Sequence, residues 1–553
     1  MSAVTVPEVD TPSGYPEEHY LNNGFSLKSW LTTTDHKRIA WLFFVALTFM
    51  FFIAGAAATV MRLELLTPQG DLVSDGTYAR LFSTHGIIMV WFFLIPSIPN
   101  TFGNFLLPMM IGARDMAFPR INLLSWYVYM IGALALIASL FAGAPDAGWT
   151  FYTPLSTQYA NDATIIAAVG VFIVGFSTIM TAINFIVTTH RLRAPGMTWF
   201  RLPLFVWSMY AVAILMLLAT PVLAITLLMV TVQHWLGIAI FNPAIGGDPL
   251  LFQHMFWFYS HPAVYIMLIP AMGVVSELIT TFSRKQVFGY EVMVFSMLMI
   301  SIASFFVWGH HMFVAGESTF SALVFSLMTF VVSVPSAIKI FNWTTTMYKG
   351  KISFDAPMLY GVSFIGLFLV GGLTGLILAM TGLDMDLHGT YFVVAHFHYI
   401  MVGGAVTAYM GALHYWWPKI TGRMYPEMWG RFAAITIFIG FNATFGPQFL
   451  LGVAGMPRRY HTYPPIYQVL NEASTAGAVV LAAGYALPFC YFLWSLRYGK
   501  IAPPNPWGAT GLEWQTTSPP PEHNFGGDIP VVSRKPYDYE HYDAEHGEWQ
   551  GRP

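Results

Sequence analysis

The chain contains a single cysteine, Cys490, in 553 residues. That excludes an internal disulfide, a thiolate cluster and the C-x-x-C-H attachment of a haem, so any metal held here is bound through nitrogen or oxygen. Charge is scarce as well: Asp, Glu, Lys and Arg make up 10% of the residues, against about 25% in ordinary soluble domains. A soluble globular enzyme is therefore excluded. The net charge of -3 comes without a basic stripe, so no nucleic-acid partner is expected. No internal repeat is visible, which argues against a two-halved carrier. The first apolar run begins near Ile39 after a polar leader with Pro7, Pro12 and Pro16, which lacks the charged start and cleavage site of a removable signal, so the run is expected to be retained.

What is present is apolar sequence, 56% of the residues. Runs long enough to cross a bilayer, roughly 20 residues each, recur at 40–61, 82–110, 122–143, 163–189, 204–233, 251–281, 289–313, 320–346, 357–381, 391–416, 431–453 and 475–498. The expectation is an all-α integral membrane protein of twelve transmembrane helices. Lys28, Lys37 and Arg38 precede the first run, and Arg and Lys recur in every second loop, which places both termini in the cytoplasm. The chain divides into a leader (1–38), a membrane domain (39–498) and a Pro-rich polar tail (499–553) read as a partner-docking or loosely ordered segment.

Ionisable rings inside spans are costly and rare, yet six histidines lie within these runs: His85, His261, His310, His311, His396 and His398. With spans alternating in direction, all six fall in one layer toward the outer face. His396 and His398 are two residues apart on a helix that turns about 100° per residue, so they point to opposite sides and serve different centres. His310 and His311 are adjacent near a helix end and can converge on one ion with a third imidazole. Imidazole ligands suit copper, iron or zinc, and the constellation alone does not choose among them.

Taken together, the segments Thr84-His85-Gly86, Gly112 to Arg120, His261-Pro262-x-Val264-Tyr265, Trp308-Gly309-His310-His311, Pro335 to Lys339, Tyr391 to Tyr399 and Gly455 to Tyr460 resemble subunit I of the haem-copper oxidases, in the cytochrome c oxidase branch. The resemblance runs through nearly the whole chain in order. It implies reduction of dioxygen to water, coupled to proton uptake and pumping, in a bacterial-type cytoplasmic membrane. It also implies two haems of the A type and one copper. His85 and His398 would be the axial ligands of a low-spin haem and His396 the proximal ligand of a high-spin haem. His261, His310 and His311 would hold copper. Tyr265, one turn after His261, would be joined to it covalently and supply a proton and an electron. Arg458 and Arg459 would pair with haem propionates, Arg62 would lie near the low-spin haem's formyl group, and Trp149 and Asp384 near the propionates. Cytochrome c would be the donor and further subunits the partners, including subunit III and a subunit II carrying the primary acceptor that a chain with one cysteine cannot supply.

Protons would enter from the cytoplasm by two paths. One would begin at Asp115 and continue past Asn104, Asn122, Ser177, Thr178 and Asn184. The other would use Lys339, with Ser336 one turn away and Ser276 and Glu277 near its mouth. Two positions depart from the pattern. Ala263 stands where the family has a glutamate two residues after the copper histidine, and Tyr259-Ser260 resembles the variant branch in which these hydroxyls replace it. Gly389 after His388 leaves one side-chain ligand for a magnesium ion. Glu64 would join a calcium site. A quinol oxidase is the alternative reading. A nitric oxide reductase fits less well, lacking the Tyr265 and Lys339 features, and a twelve-span solute carrier leaves six layered histidines unexplained.

Overall fold

The computed structural model describes residues 15–543 and the backbone of Glu548 and Trp549; residues 1–14, 544–547 and 550–553 of the leader and tail lie outside the described residues. Eleven helices are long and apolar enough to span a membrane. In chain order, with one shorter apolar helix included, they are α1 (His36–Glu64), α2 (Asp75–Met110), α3 (Pro119–Phe141), α4 (Asp162–Arg191), α5 (Leu204–Leu236), α6 (Pro249–Ser283), α7 (Tyr290–Ser304), α8 (Thr319–Met347), α9 (Ala356–Ala379), α10 (Tyr391–Thr421), α11 (Glu427–Val453) and α12 (Pro465–Tyr498).

The seventh of the twelve expected spans differs from expectation. Its apolar run, 289–313, yields only the 15 residues of α7; Phe305 ends the helix and Trp308–Met312 form a separate 3-10 turn. His310 and His311 therefore sit on that turn and not on the end of a long helix. Gly309 is packed so closely on the Phe325 ring that no side chain fits there.

Local chemistry sets the other boundaries. Asp35, Ser74, Asn161, Asp248 and Ser318 accept backbone N–H bonds at helix starts, and Pro119 opens α3. Within α2 the segments Ile88–Leu94 and Ser97–Gly103 are π-helical, as is Met401–Val406 in α10; such widened turns often occur at functional sites. Of the spans, α6 is the most central: 89% of its apolar window is buried, against 11% for α8. Neighbouring pairs α3/α4, α5/α6 and α11/α12 pack along their lengths. A Cβ on Gly440 would lie 2.7 Å from the Leu481 nitrogen, so this small residue sets how closely α11 and α12 approach.

The tail also departs from the expected loose segment. As far as it is described, it folds back across one end of the bundle and buries Trp507, Trp514 and Tyr537 among the helix ends there. Its Asn524 receives Lys37 Nζ at 2.9 Å and donates to the Ala113 carbonyl at 2.8 Å. Tyr20 N–H donates to Pro520 O, so leader and tail meet on the same face. The physical reason is aromatic burial that has no helical period to announce it. A two-residue antiparallel ladder, Tyr542 with Trp549 and Asp543 with Glu548, ends the described chain.

Candidate functional site

The six histidines converge on one cavity of about 900 Å³ between α2, α6, α8, α9 and α10. His85 and His398 face each other with ring centroids 6.4 Å apart and planes 15° from parallel. His85 Nδ1–H donates to the Ala54 carbonyl at 2.9 Å and His398 Nδ1–H to Val394 at 2.8 Å, so each ring keeps Nε2 for a ligand. Phe445 stacks on His398 at 4.2 Å and holds its orientation. Gly86, next to His85, is required by packing, because a Cβ there would lie 2.9 Å from that of Trp149.

On the other side of α10, His396 Nδ1–H is shared between the Gly371 carbonyl at 3.0 Å and Thr374 Oγ1 at 3.2 Å, which again leaves Nε2 available. A third cluster lies across the cavity. One ring nitrogen from each of His261, His310 and His311 falls within 4.8 Å of the others, and among the described residues this is the one group of three or more such side chains able to hold a metal. His261 Nδ1 and His311 Nε2 stand 3.2 Å apart. Trp257 stacks on His311 at 3.7 Å. Thr329 Oγ1 donates to Phe325 O at 2.6 Å, so it accepts from His310 Nδ1–H at 2.9 Å and frees His310 Nε2. Sequence reading missed Thr329; a hydroxyl in an apolar span was its only signal. The His261 and Tyr265 rings are 5.0 Å apart, and His261 Nε2 is buried with no partner.

These residues fit two porphyrin-bound irons and a copper on their own evidence. Three outward-facing Nε2 atoms stand on two sides of α10, a three-nitrogen set opposes one of them, and the cavity walls carry unpaired donors. Arg62 uses Nη2 on Asn471 and Thr475 while its Nε and Nη1 are buried without partners among the described residues. Arg458 and Arg459 line the cavity, and among the described residues no carboxylate is in salt-bridge range of either. Burial and the neighbouring Arg458 charge lower the Arg459 guanidinium to about 10, a position that suits an anionic group. Trp149 and Asp384 line the same space. Asp384 accepts from His388 Nδ1 at 2.9 Å, which leaves Nε2 as the sole histidine nitrogen there for a cation. Glu64 accepts N–H bonds from Leu72 and Val73 on Oε2, and its buried Oε1 has no partner among the described residues.

Of the residues expected to carry protons, Ser260, Ser336 and Tyr265 line the cavity. Ser260 Oγ is buried without a partner. Tyr259 stands outside the cavity wall, stacked on Trp91 at 5.9 Å with its hydroxyl beside Thr220. Lys339 is fully buried; its Nζ donates to the Met293 carbonyl at 3.4 Å and lies 5.7 Å from the Trp343 ring, whose Nε1–H donates to Ser276. Ser276 thus meets Trp343, whereas Glu277 faces the start of α5 and accepts from Phe205 N–H.

Asp115 lies in the loop after α2, where burial pushes its carboxyl up to about 7 against the pull of the Met116 N–H. Beyond it, Asn104 Oδ1 and both polar atoms of the Asn122 side chain are buried without partners among the described residues. Ser177, Thr178 and Asn184 are instead satisfied by backbone carbonyls, and Asn184 clips Phe118.

Residues 38–480 match the family described as Cytochrome C and Quinol oxidase polypeptide I. The chain is 41% identical over 533 residues to Cytochrome c oxidase subunit 1 of Thermostichus vulcanus, covering 96% of both chains. It is 44% identical over 506 residues to Cytochrome c oxidase subunit 1 of a Synechocystis species, covering 91% of each. It is 42% identical over 513 residues to the Heme-copper oxidase subunit I+III of Aeropyrum pernix, covering 91% of this chain and 62% of that one. In fold it is similar to a chain in the cryo-EM structure of a heme-copper terminal oxidase dimer, with a TM-score of 0.72 at 20% identity, covering 84% of this chain and 85% of that one. The family match, the near-complete relatives and the opposed histidine sets agree, and the chain belongs to the cytochrome c and quinol oxidase polypeptide I family.

Proposed function

We propose that this multi-pass membrane protein is the catalytic subunit of a terminal respiratory oxidase that passes electrons from cytochrome c to dioxygen, forming water with protons drawn from the cytoplasm. One observation carries the reading: α10 presents ligands on two sides. His398 meets His85 on one side, and His396 on the other looks across the cavity toward His261, His310 and His311.

In this reading His85 and His398 hold a low-spin haem, His396 a second haem, and the three remaining histidines a copper. When bound, the two irons and the copper supply the electron transfer and the dioxygen site. The chain's own residues do the rest. Thr329, Gly371, Ala54 and Val394 fix the imidazole tautomers through Nδ1. Arg62, Arg458 and Arg459 bind the polar edges of the haems, with Trp149 and Asp384 beside them. Tyr265, joined to His261, holds a transferable proton on its hydroxyl. Lys339 and Ser336 deliver protons toward Tyr265, and Asp115, Asn104 and Asn122 form a second, hydrated path that supports pumping.

The haems are of the A type, and the membrane is the bacterial inner membrane. Glu64 Oε1 suits a calcium ion; His388 offers a magnesium ion one ligand and relies on water or a partner for the rest. Partners are a subunit II carrying the primary acceptor, a subunit III and smaller subunits. Relatives named cytochrome c oxidase subunit 1 favour cytochrome c over quinol as donor. The test is a reduced-minus-oxidised optical spectrum of the purified complex with and without carbon monoxide, alongside metal and haem analysis. Two haems, only one of them binding carbon monoxide, with one copper in this chain, is the expected result. A single haem or a metal-free chain would overturn it.

A further inference from the structure

The turn that carries His310 and His311 has little holding it from within. The helix before it, α7, ends at Ser304, and Trp308–Met312 is a single 3-10 turn with no side-chain cap among the described residues. The His310 N–H reaches the Val307 carbonyl at 3.3 Å, longer than an ordinary backbone bond. Side chains of the neighbouring helices must therefore set where this turn stands relative to His261.

Trp308 opens the turn, and its indole is docked on α6. Its Nε1–H donates to His254 Nδ1 at 3.3 Å, its ring meets Phe258 edge-to-face at 5.2 Å, and Phe325 of α8 packs against it at 4.9 Å. An indole nitrogen only donates, so the bond requires the His254 tautomer that leaves Nδ1 unprotonated. His254, Phe258, His261 and Tyr265 occupy positions i, i+4, i+7 and i+11 of α6, which is one stripe along the helix. The contacts follow that stripe. Its N-terminal half holds Trp308, and further along His261 meets the rings of His310 at 4.6 Å, His311 at 5.4 Å and Tyr265 at 5.0 Å. His310 and His311 line the cavity, whereas His254 and Trp308 stand behind them.

Resting on the proposed function, in which His261, His310 and His311 hold copper, we infer that His254 is a positioning residue for that copper. By accepting the Trp308 N–H, it keeps the turn that carries two of the ligands in register with the third ligand on its own helix. One helix stripe thus both supplies His261 and fixes its distance to the other two. Without an acceptor at position 254 the indole N–H has to turn toward water, the 3-10 turn moves with it, and the ring nitrogens that now lie within 4.8 Å of one another spread apart.

The test uses the purified full complex, with copper affinity measured by titration with a competing chelator and the copper ligand field read from the C–O stretching band of carbon monoxide on the reduced site. His254→Leu, which fills the space and removes the acceptor, should lower copper affinity about 3- to 10-fold, the worth of one neutral hydrogen bond, and broaden the band. The low-spin haem spectrum should stay unchanged. His254→Gln, whose side-chain carbonyl can accept the indole N–H, should return both readings to within about twofold of the wild type. Trp308→Phe should match His254→Leu, and the double variant should be no worse than either alone, because both remove the same bond. Wild-type copper affinity and band in His254→Leu, a Gln variant as defective as the Leu variant, or additive losses in the double variant would each overturn the inference. A wild-type complex without copper would instead overturn the proposed function.

Discussion

His85 and His398 stand 6.4 Å apart with rings 15° from parallel, each tied through Nδ1 to a backbone carbonyl and free at Nε2. His396 faces the other side of the same helix, so the two positions should fail independently. Replacing His85 or His398 with Ala should remove the low-spin haem signal while copper is retained, as read from optical spectra and metal analysis. Loss of only the carbon-monoxide-binding haem in His398→Ala would reverse the assignment.

His310→Ala or His311→Ala should lose copper and stop oxygen reduction while both haems remain. A quieter variant probes the outer support. Thr329→Val removes the acceptor that orients His310 and should lower copper affinity by about 10- to 100-fold, the usual effect of losing such a partner. Titration with a competing chelator measures it, and full copper retention would refute the orienting role.

Lys339→Met keeps the side-chain length and removes the amine. Reduction of the copper-facing haem should slow at least about tenfold, equivalent to roughly 1.4 kcal/mol in the barrier, while the low-spin haem reduces normally. Stopped-flow reduction separates the two, and normal kinetics at both would make the lysine structural.

The membrane class and the opposed directions of His396 and His398 were legible in the sequence because both follow from simple periods: about 20 apolar residues per crossing, and about 200° between the two histidines. The seventh span was not. Phe305, Phe306 and Val307 extend its apolar run although the helix has already ended at Ser304, and hydropathy does not register that break. The partners of Lys339 were legible only in part. Ser276 and Glu277 are adjacent in sequence, yet they diverge around α6, toward Trp343 and toward α5. The tail was least legible, since Trp507, Trp514 and Tyr537 are isolated in polar, Pro-rich sequence and bond to helices 92, 99 and 333 residues away.

Tyr259 and Ser260, the pair that resembles the variant branch lacking the acid, are placed differently with respect to the cavity. Ser260 Oγ is on the cavity wall without a partner, and Tyr259 is stacked on Trp91 behind it. Ser260→Ala should therefore reduce proton pumping in vesicles at least as much as Tyr259→Phe, with the haem spectrum unchanged in both. A tenfold loss of turnover confined to Tyr259→Phe would show that the phenol is the relay.

Asp115 carries a pH prediction. Its carboxyl is pushed from the ordinary 3.8 up to about 7, chiefly by burial, so the folded protein holds this proton more tightly than the unfolded chain does. The group's contribution to stability is fully present below the unfolded value and is lost as pH rises through about 7. Asp115→Asn should therefore gain thermal stability over the wild type at pH 8 and lose that advantage at pH 4, while proton pumping falls. Identical melting differences at the two pH values would refute the assignment.

Asn524 joins Lys37 at the start of the first span to the Ala113 carbonyl beside Asp115, although it lies 411 positions beyond Ala113 in the chain. Translation makes that clasp one of the last contacts available. A nascent chain can insert its helices one after another, but its cytoplasmic face cannot close until almost the whole protein has left the ribosome. The protein therefore has a built-in order of completion, in which the helices can pack together before the face where leader and tail meet is closed.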